Sequence, residues 1–160
     1  MKKIEILAPA GSFESVVSAV RSGADAVYLG LQDFSARKEA KNFSFEELKE
    51  TTSYCHIRNV KVYVTMNTLI FDRELEDALE CVKKACECNI DALIVQDIGF
   101  ANMVHKACPS LHLHGSTQMS VHTLSGAKLL KEMGFTRVVL SREMSREEIK
   151  FIADNLDIEL

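Results

Sequence analysis

Leu111-His112-Leu113-His114-Gly115-Ser116-Thr117-Gln118 is the stretch that decides the fold. Leu111 and Leu113 alternate with His112 and His114 at the two-residue period of a half-buried strand. Gly115 then lets the backbone turn without a Cβ penalty. Two hydroxyls and an amide follow before a helical pattern resumes from about Val121 to Met133. The stretch reads as one strand, turn and helix unit whose polar end opens onto a site.

The same unit recurs on both sides. Ile4 to Ala8 predicts a short apolar strand ended by Pro9-Ala10-Gly11, and the helix after it carries Phe13, Val16, Val17 and Val20 on one face. Gly23 closes that helix, and Ala26 to Leu29 reads as a buried strand. Ser44 caps a helix with Glu46 and Glu47 in its first turn, Val60 to Met66 is the third strand, and Asp72 opens the helix through Leu75, Leu79, Val82 and Cys86. Ala92 to Val95 makes a fourth strand and Phe100 to Ala107 a helix stopped before Pro109. Arg137 to Leu140 makes a sixth strand, and Ser145 to Glu148 reads as a capping box for a helix to about Leu156. A weak repeat supports this parsing: Gly23-Ala24-Asp25-Ala26-Val27 resembles Asn89-Ile90-Asp91-Ala92-Leu93.

Strands alternating with helices, with a seventh strand beginning at Asp157, imply a parallel sheet with right-handed crossovers. An eight-fold barrel takes ~250 residues, and this chain has 160. The expected fold is α/β, an incomplete TIM-type (β/α) barrel in which residues 1–160 form a single domain, the N-terminal part of a longer catalytic region. A doubly wound open sheet is the competing architecture.

Composition narrows the function. The net charge of −4 supplies no general field for nucleic acid, so any RNA contact must be local. No apolar run approaches the ~20 residues of a membrane span, and the start of the chain lacks the apolar core of a secretory signal. The expectation is a soluble cytoplasmic protein with no membrane partner. Of the five cysteines, Cys81, Cys86 and Cys88 fall in one helical pattern. Cys81 and Cys88 would lie ~10 Å apart along it, beyond a disulfide. Reduced packing cysteines are therefore expected.

In parallel α/β folds ligands sit where strands end and helix N-termini converge. Those positions hold Asn67, Gln96 and Asp97, His114 through Gln118, and Ser141-Arg142-Glu143. Asp97, Thr117 and Ser145 read first as helix caps. Asn67, Gln118 and Arg142 are long or amide-bearing and are candidates for binding substrate. His114 is a candidate general acid or base because histidine titrates near neutrality, and Ser116 beside it is the hydroxyl to test with it. His112 and His114 share a face, but no third ligand accompanies them, and no metal is assigned. The long connection from Gln32 to Phe43 carries Arg37, Lys38 and Lys41 between aromatics, as a lid or an RNA-backbone contact, against the plainer reading of a solvated loop. No P-loop, His-Glu-x-x-His helix or Gly-x-Gly-x-x-Gly loop occurs.

Leu7-Ala8-Pro9-Ala10-Gly11-Ser12-Phe13-Glu14, Gly23 through Gly30, Phe34-Ser35-Ala36-Arg37, Asn42-Phe43, Ser116-Thr117-Gln118 and Val139-Leu140-Ser141-Arg142-Glu143 together resemble the collagenase-like peptidases, family 32 of the unknown-mechanism U peptidases. The resemblance covers essentially the whole chain. It implies a barrel-like catalytic region in a bacterial cytosolic protein and, by the family name, proteolysis of a peptide substrate. It also implies relatives that hydroxylate tRNA, ribosomal RNA or the ubiquinone ring. In hydroxylating relatives the cysteines that bind an iron–sulfur cluster would fall beyond Leu160, so no cofactor is assigned within this segment and a cluster is expected only in a longer parent.

Three readings follow. The leading one is a peptidase of this family. The second is the substrate side of an RNA-modifying hydroxylase, with Arg37, Lys38 and Lys41 on the RNA backbone. The third is a truncated, non-catalytic barrel that forms a homodimer through its open edge.

Overall fold

The computed structural model describes residues 4–36 and 42–160. Six strands, β1 (Leu7–Pro9), β2 (Ala26–Gly30), β3 (Lys61–Met66), β4 (Ala92–Val95), β5 (His112–Gly115) and β6 (Phe135–Val138), form one parallel sheet in the order β1 to β6. Between and after them run α1 (Phe13–Arg21), α2 (Phe45–His56), α3 (Leu75–Glu87), α4 (Ile98–Ala107), α5 (Leu124–Glu132) and α6 (Arg146–Asn155). A doubly wound sheet would place the first strand in the middle and reverse the order around it. Here each strand pairs with the one before it, which is the arc of a (β/α) barrel. Glu159 makes a parallel bridge to Arg137, where a seventh strand begins.

The repeat has a structural job. Asp25 accepts a hydrogen bond from the backbone N–H of Ile6 at 2.9 Å, and Asp91 accepts one from Val62 at 2.7 Å. Each aspartate at a strand start thus holds the strand before it in register. The residue that turns the helix back into the strand lies in the left-handed region in both copies, Gly23 at φ +89° and Asn89 at +60°.

Alternation along the strands divides two apolar layers. Val27, Leu29, Val62, Val64, Leu93 and Leu113 face outward into the large core beneath the helices, against Val16, Leu48, Val82, Phe100 and Leu130. Each such fully buried side chain contributes about 1.5–3 kcal/mol. Ala26, Tyr63, Ala92 and Ile94, with Leu7 and Tyr28, form the smaller inner layer of the arc. Serine capping boxes start α1, α2 and α6 at Ser12, Ser44 and Ser145, while Asp97 and Thr123 cap α4 and α5.

Several boundaries differ from the sequence reading, three of them for reasons visible in the backbone. The first strand begins at Leu7, because the Ile6 N–H is taken by the Asp25 side chain; Ile4 and Ile6 before it are 84% and 59% exposed. The sixth strand starts at Phe135, directly after Gly134 at φ +92°. The fifth helix starts at Leu124, because Thr117–Met119 form a 3₁₀ turn that ends with Ser120 at φ +54° and leaves Thr123 as the cap.

Candidate functional site

A cavity of about 440 Å³ opens at the C-terminal ends of the strands. Pro9, Gly30, Thr65, Asn67, Ser116, Val139 and Arg142 bring every strand except β4 to its wall at or just past its end, and β4 adds Ile94. Tyr28 and Ile94 supply the apolar floor from the inner layer. A second cavity of about 320 Å³ adjoins it, lined by Gln118, Ser120, His122, Ser141 and Glu143. Thr117 and Arg142 belong to both walls, so the two spaces share a rim.

The wall is built by β3 gripping the loop after β2. Thr65 donates to the Leu29 carbonyl at 3.2 Å, and its hydroxyl lies 3.2 Å from that of Ser35. The Ala36 N–H donates to Asn67 Oδ1 at 3.2 Å, and Thr68 donates to the Phe34 carbonyl at 3.2 Å. Phe34 takes φ +60° to make this approach. Gly30 is required by space, because a Cβ there would lie 2.5 Å from Ser35 Oγ and 2.9 Å from Asn42 Oδ1. Ser116, 3% exposed, accepts the Gln118 N–H at 3.3 Å and opens the 3₁₀ turn.

The candidate residues therefore divide. Asn67, Ser116 and Arg142 meet at the larger cavity and Gln118 at the smaller one. Arg37, with Lys38 and Lys41, lies outside the described residues. His114 does not join Ser116: it lines a third cavity, about 330 Å³, at the opposite end of the strands with Lys61, His112, Thr136 and Arg137. His114 is 4% exposed, its ring stands edge-on to Tyr63 at 4.7 Å, and its Nδ1 has no hydrogen-bond partner. Burial, reinforced by the Arg137 charge, pushes His114 down to about 3, so it is neutral at neutral pH.

Beneath it sits a polar network that sequence reading missed. Glu5 accepts hydrogen bonds from Tyr63 at 2.9 and 3.0 Å and from Arg137 at 2.7 Å, with Lys61 at 3.3 Å. Arg137 also pairs with Glu159 at 2.8 Å. Burial works to raise the Glu5 carboxyl, but the Arg137 and Tyr63 hydrogen bonds hold it below the usual carboxylate range. Burial and the bond to Glu5 push the Tyr63 phenol well above its ordinary value. Among the described residues no serine, threonine or cysteine side chain is hydrogen-bonded to a histidine, so no nucleophile stands beside a base.

The model of peptidase family U32 matches residues 11–160. This chain belongs to peptidase family U32. It is 37% identical over 155 residues to a 23S rRNA 5-hydroxycytidine C2501 synthase of Escherichia coli, covering 97% of this chain and 23% of that protein. It is 35% identical over 159 residues to tRNA hydroxylation protein P1 of Bacillus subtilis (99% and 38%), and 31% identical over 153 residues to a collagenase of Porphyromonas gingivalis (95% and 36%). The chain thus spans roughly a quarter to two-fifths of the length of these U32 relatives. A solved U32 peptidase superposes with a TM-score of 0.76 at 15% identity, covering 99% of this chain and 67% of the other; an aldolase superposes at 0.69 and 20%, covering 99% and 77%. These likenesses establish the barrel arc.

An iron–sulfur cluster, which the family resemblance assigns to hydroxylating relatives, needs several thiolates converging on one point. Cys55 and Cys81 are buried on different helices, Cys88 is buried at the end of α3, and Cys86 and Cys108 lie partly buried near the ends of α3 and α4. Among the described residues no three His, Cys, Asp or Glu side chains are grouped to hold a metal ion. The cysteines of this segment do not fit a cluster.

Proposed function

We propose that this U32 chain forms the substrate-holding arc of an RNA-hydroxylating enzyme, with a pyrimidine base as the group held in the strand-end cavity. The observation that carries the reading is the makeup of that wall: neutral hydrogen-bonding groups from Asn67, Thr65, Ser35 and Ser116 around a Tyr28 and Ile94 floor, with no nucleophile and base in contact. Amides and hydroxyls suit the edge of an unstacked base, an aromatic side chain suits its face, and an exposed arginine on the rim suits a phosphate. Asn67 Oδ1 is committed to Ala36, which leaves its amide N–H groups for the ligand. The cavity volume falls within the range of small-ligand sites, about 300–1,000 Å³. The names of the E. coli and B. subtilis relatives support RNA as the substrate class. Arg37, Lys38 and Lys41 are the basic residues that would meet the RNA backbone, and the enzyme would work in the cytoplasm.

The test is nucleoside mass spectrometry of tRNA and rRNA from the source organism with and without the gene. Loss of a hydroxylated pyrimidine on deletion supports the proposal; an unchanged nucleoside profile rejects it. Proteolysis is the second reading, favoured by the name of the P. gingivalis relative. Peptide cleavage by the full-length protein that disappears in Ser116→Ala would establish it instead.

A further inference from the structure

Hydrogen bonds inside the wall of the strand-end cavity fix which way its polar groups point. Thr65 Oγ1 donates its single proton to the Leu29 carbonyl at 3.2 Å. The Ser35 hydroxyl lies 3.2 Å from Thr65 Oγ1, so in that pair Ser35 is the donor. A relay therefore runs from Ser35 to Thr65 to the Leu29 carbonyl, and it leaves Ser35 Oγ with only lone pairs to offer a ligand. Both residues are buried, and turning the Ser35 proton into the cavity would break its bond to Thr65. Asn67 is fixed in the opposite sense, because its Oδ1 accepts the Ala36 N–H at 3.2 Å and its amide N–H groups remain. Ser116 Oγ accepts the Gln118 N–H at 3.3 Å, and among the described residues its own proton has no acceptor. These three side chains of the wall present two donors, Asn67 and Ser116, and one acceptor, Ser35.

We propose that Ser35 is the residue that decides which pyrimidine the cavity accepts, its relay through Thr65 selecting uracil over cytosine; the inference rests on the proposed role of this cavity as the seat of a pyrimidine base. The Watson–Crick edge of uracil carries one donor, N3–H, between two carbonyl acceptors, whereas cytosine has an unprotonated N3 beside an exocyclic amine. Ser35 Oγ accepts the uracil N3–H, and Asn67 and Ser116 donate to the two carbonyls. With cytosine the Ser35 oxygen faces the lone pair of N3 with no proton between them, and one of the two donors meets the amine. Groups of a buried wall left unpaired in this way reject the wrong base more strongly than a difference in size would. The Ser35 hydroxyl reads the proton on N3 only because Thr65 has taken its own proton, so Thr65 acts on the choice through Ser35 and is a positioning residue.

The experiment titrates the full chain separately with uridine monophosphate and cytidine monophosphate and reads the two dissociation constants by ligand-observed NMR, which needs neither RNA nor turnover. The wild-type protein should bind the uridine nucleotide tighter by about 10-fold or more, within the range that one base-edge contact discriminates. Ser35→Ala should bring the two constants together. Thr65→Val removes the acceptor of the Ser35 proton and frees it to turn into the cavity, so it should tighten cytidine binding and weaken uridine binding. Equal binding of the two nucleotides by the wild type, or tighter binding of cytidine, would overturn the inference and leave the cavity a base site. No binding of either would overturn it together with the reading of the cavity as a base site. A uridine preference that survives Ser35→Ala would take the selection away from Ser35. The wild-type ratio needs no variant to fold.

Discussion

Arg137 Nη1 donates to Glu5 Oε1 at 2.7 Å and joins the segment leading into β1 to the last strand, β6, across 132 positions of sequence. Arg137 is 11% exposed at the side chain and Glu5 21%, so the pair is only partly screened. Removing Glu5 leaves Arg137 with Glu159 alone and Tyr63 without an acceptor. Glu5→Ala should cost about 1–3 kcal/mol, below the full cost of breaking a buried pair because Glu159 remains. Tyr63→Phe, losing one hydrogen bond to a charged group, should cost about 1–2 kcal/mol. Urea unfolding of both variants measures this; a Glu5→Ala midpoint equal to wild type would show that the pair does not hold the arc together.

Acidification should weaken the fold through His114. The unfolded chain binds a proton near pH 6.5 while the folded protein resists until about pH 3, so the stability is fully present above 6.5 and is lost as pH falls between those values. The slope contributed approaches about 1.4 kcal/mol per pH unit. Glu5, held below its ordinary range, adds a loss of the same sign at lower pH. His114→Phe should flatten the dependence between pH 6.5 and 4.5, read from denaturant midpoints at successive pH values. An unchanged slope would mean that His114 is protonated in the folded state.

Gly134 holds the turn into β6, at φ +92°, with its α-carbon against the ring of His105; a Cβ there would come within 2.6 Å of that ring. Gly134→Ala should lower stability by about 2–4 kcal/mol through backbone strain and overlap together. Combined with His105→Ala, the overlap is relieved and the strain is not. The double-mutant cycle should therefore give a coupling of about 1 kcal/mol or more. Strict additivity would remove the contact from the explanation.

Gly30→Ala tests the cavity wall without touching a charged group. The new methyl would meet Ser35 Oγ at 2.5 Å, where Ser35 is already engaged with Thr65. The side chain must move and the β2 loop with it. Ligand-dependent activity should fall at least ~10-fold, about 1.4 kcal/mol, with a smaller effect on thermal stability. Full activity would show that the cavity is not where substrate is held.

The arc was legible because period-two strands and helix caps recur together: Ser44, Asp97 and Ser145 cap the helices their sequence context predicts, and β4 spans Ala92 to Val95 as read. Boundaries slipped where a side chain replaced a backbone partner, as Asp25 does for Ile6, or where a 3₁₀ turn delayed a helix, as after Ser116. Alternation placed His112 and His114 on one face correctly, yet it carries no information on depth along the barrel. Depth comes from register: His114, two residues before Ser116 in the chain, pairs with Arg137, and His114 and Arg137 line the opposite opening together. The Glu5, Tyr63 and Arg137 network had no local signal, because its members are separated by whole repeats. Tyr28 had one, since it alternates with Val27 and Leu29 and shares the inner face with Ala26 and Gly30.

Nucleoside mass spectrometry of RNA from a deletion strain, complemented with the full-length gene carrying Asn67→Ala and Arg142→Ala, tests most directly whether the strand-end rim holds an RNA base. The expected result is that the wild-type gene restores the hydroxylated pyrimidine and the double variant, present at the same level, restores less than about a tenth of it. Full restoration by the double variant would contradict the assignment of the rim.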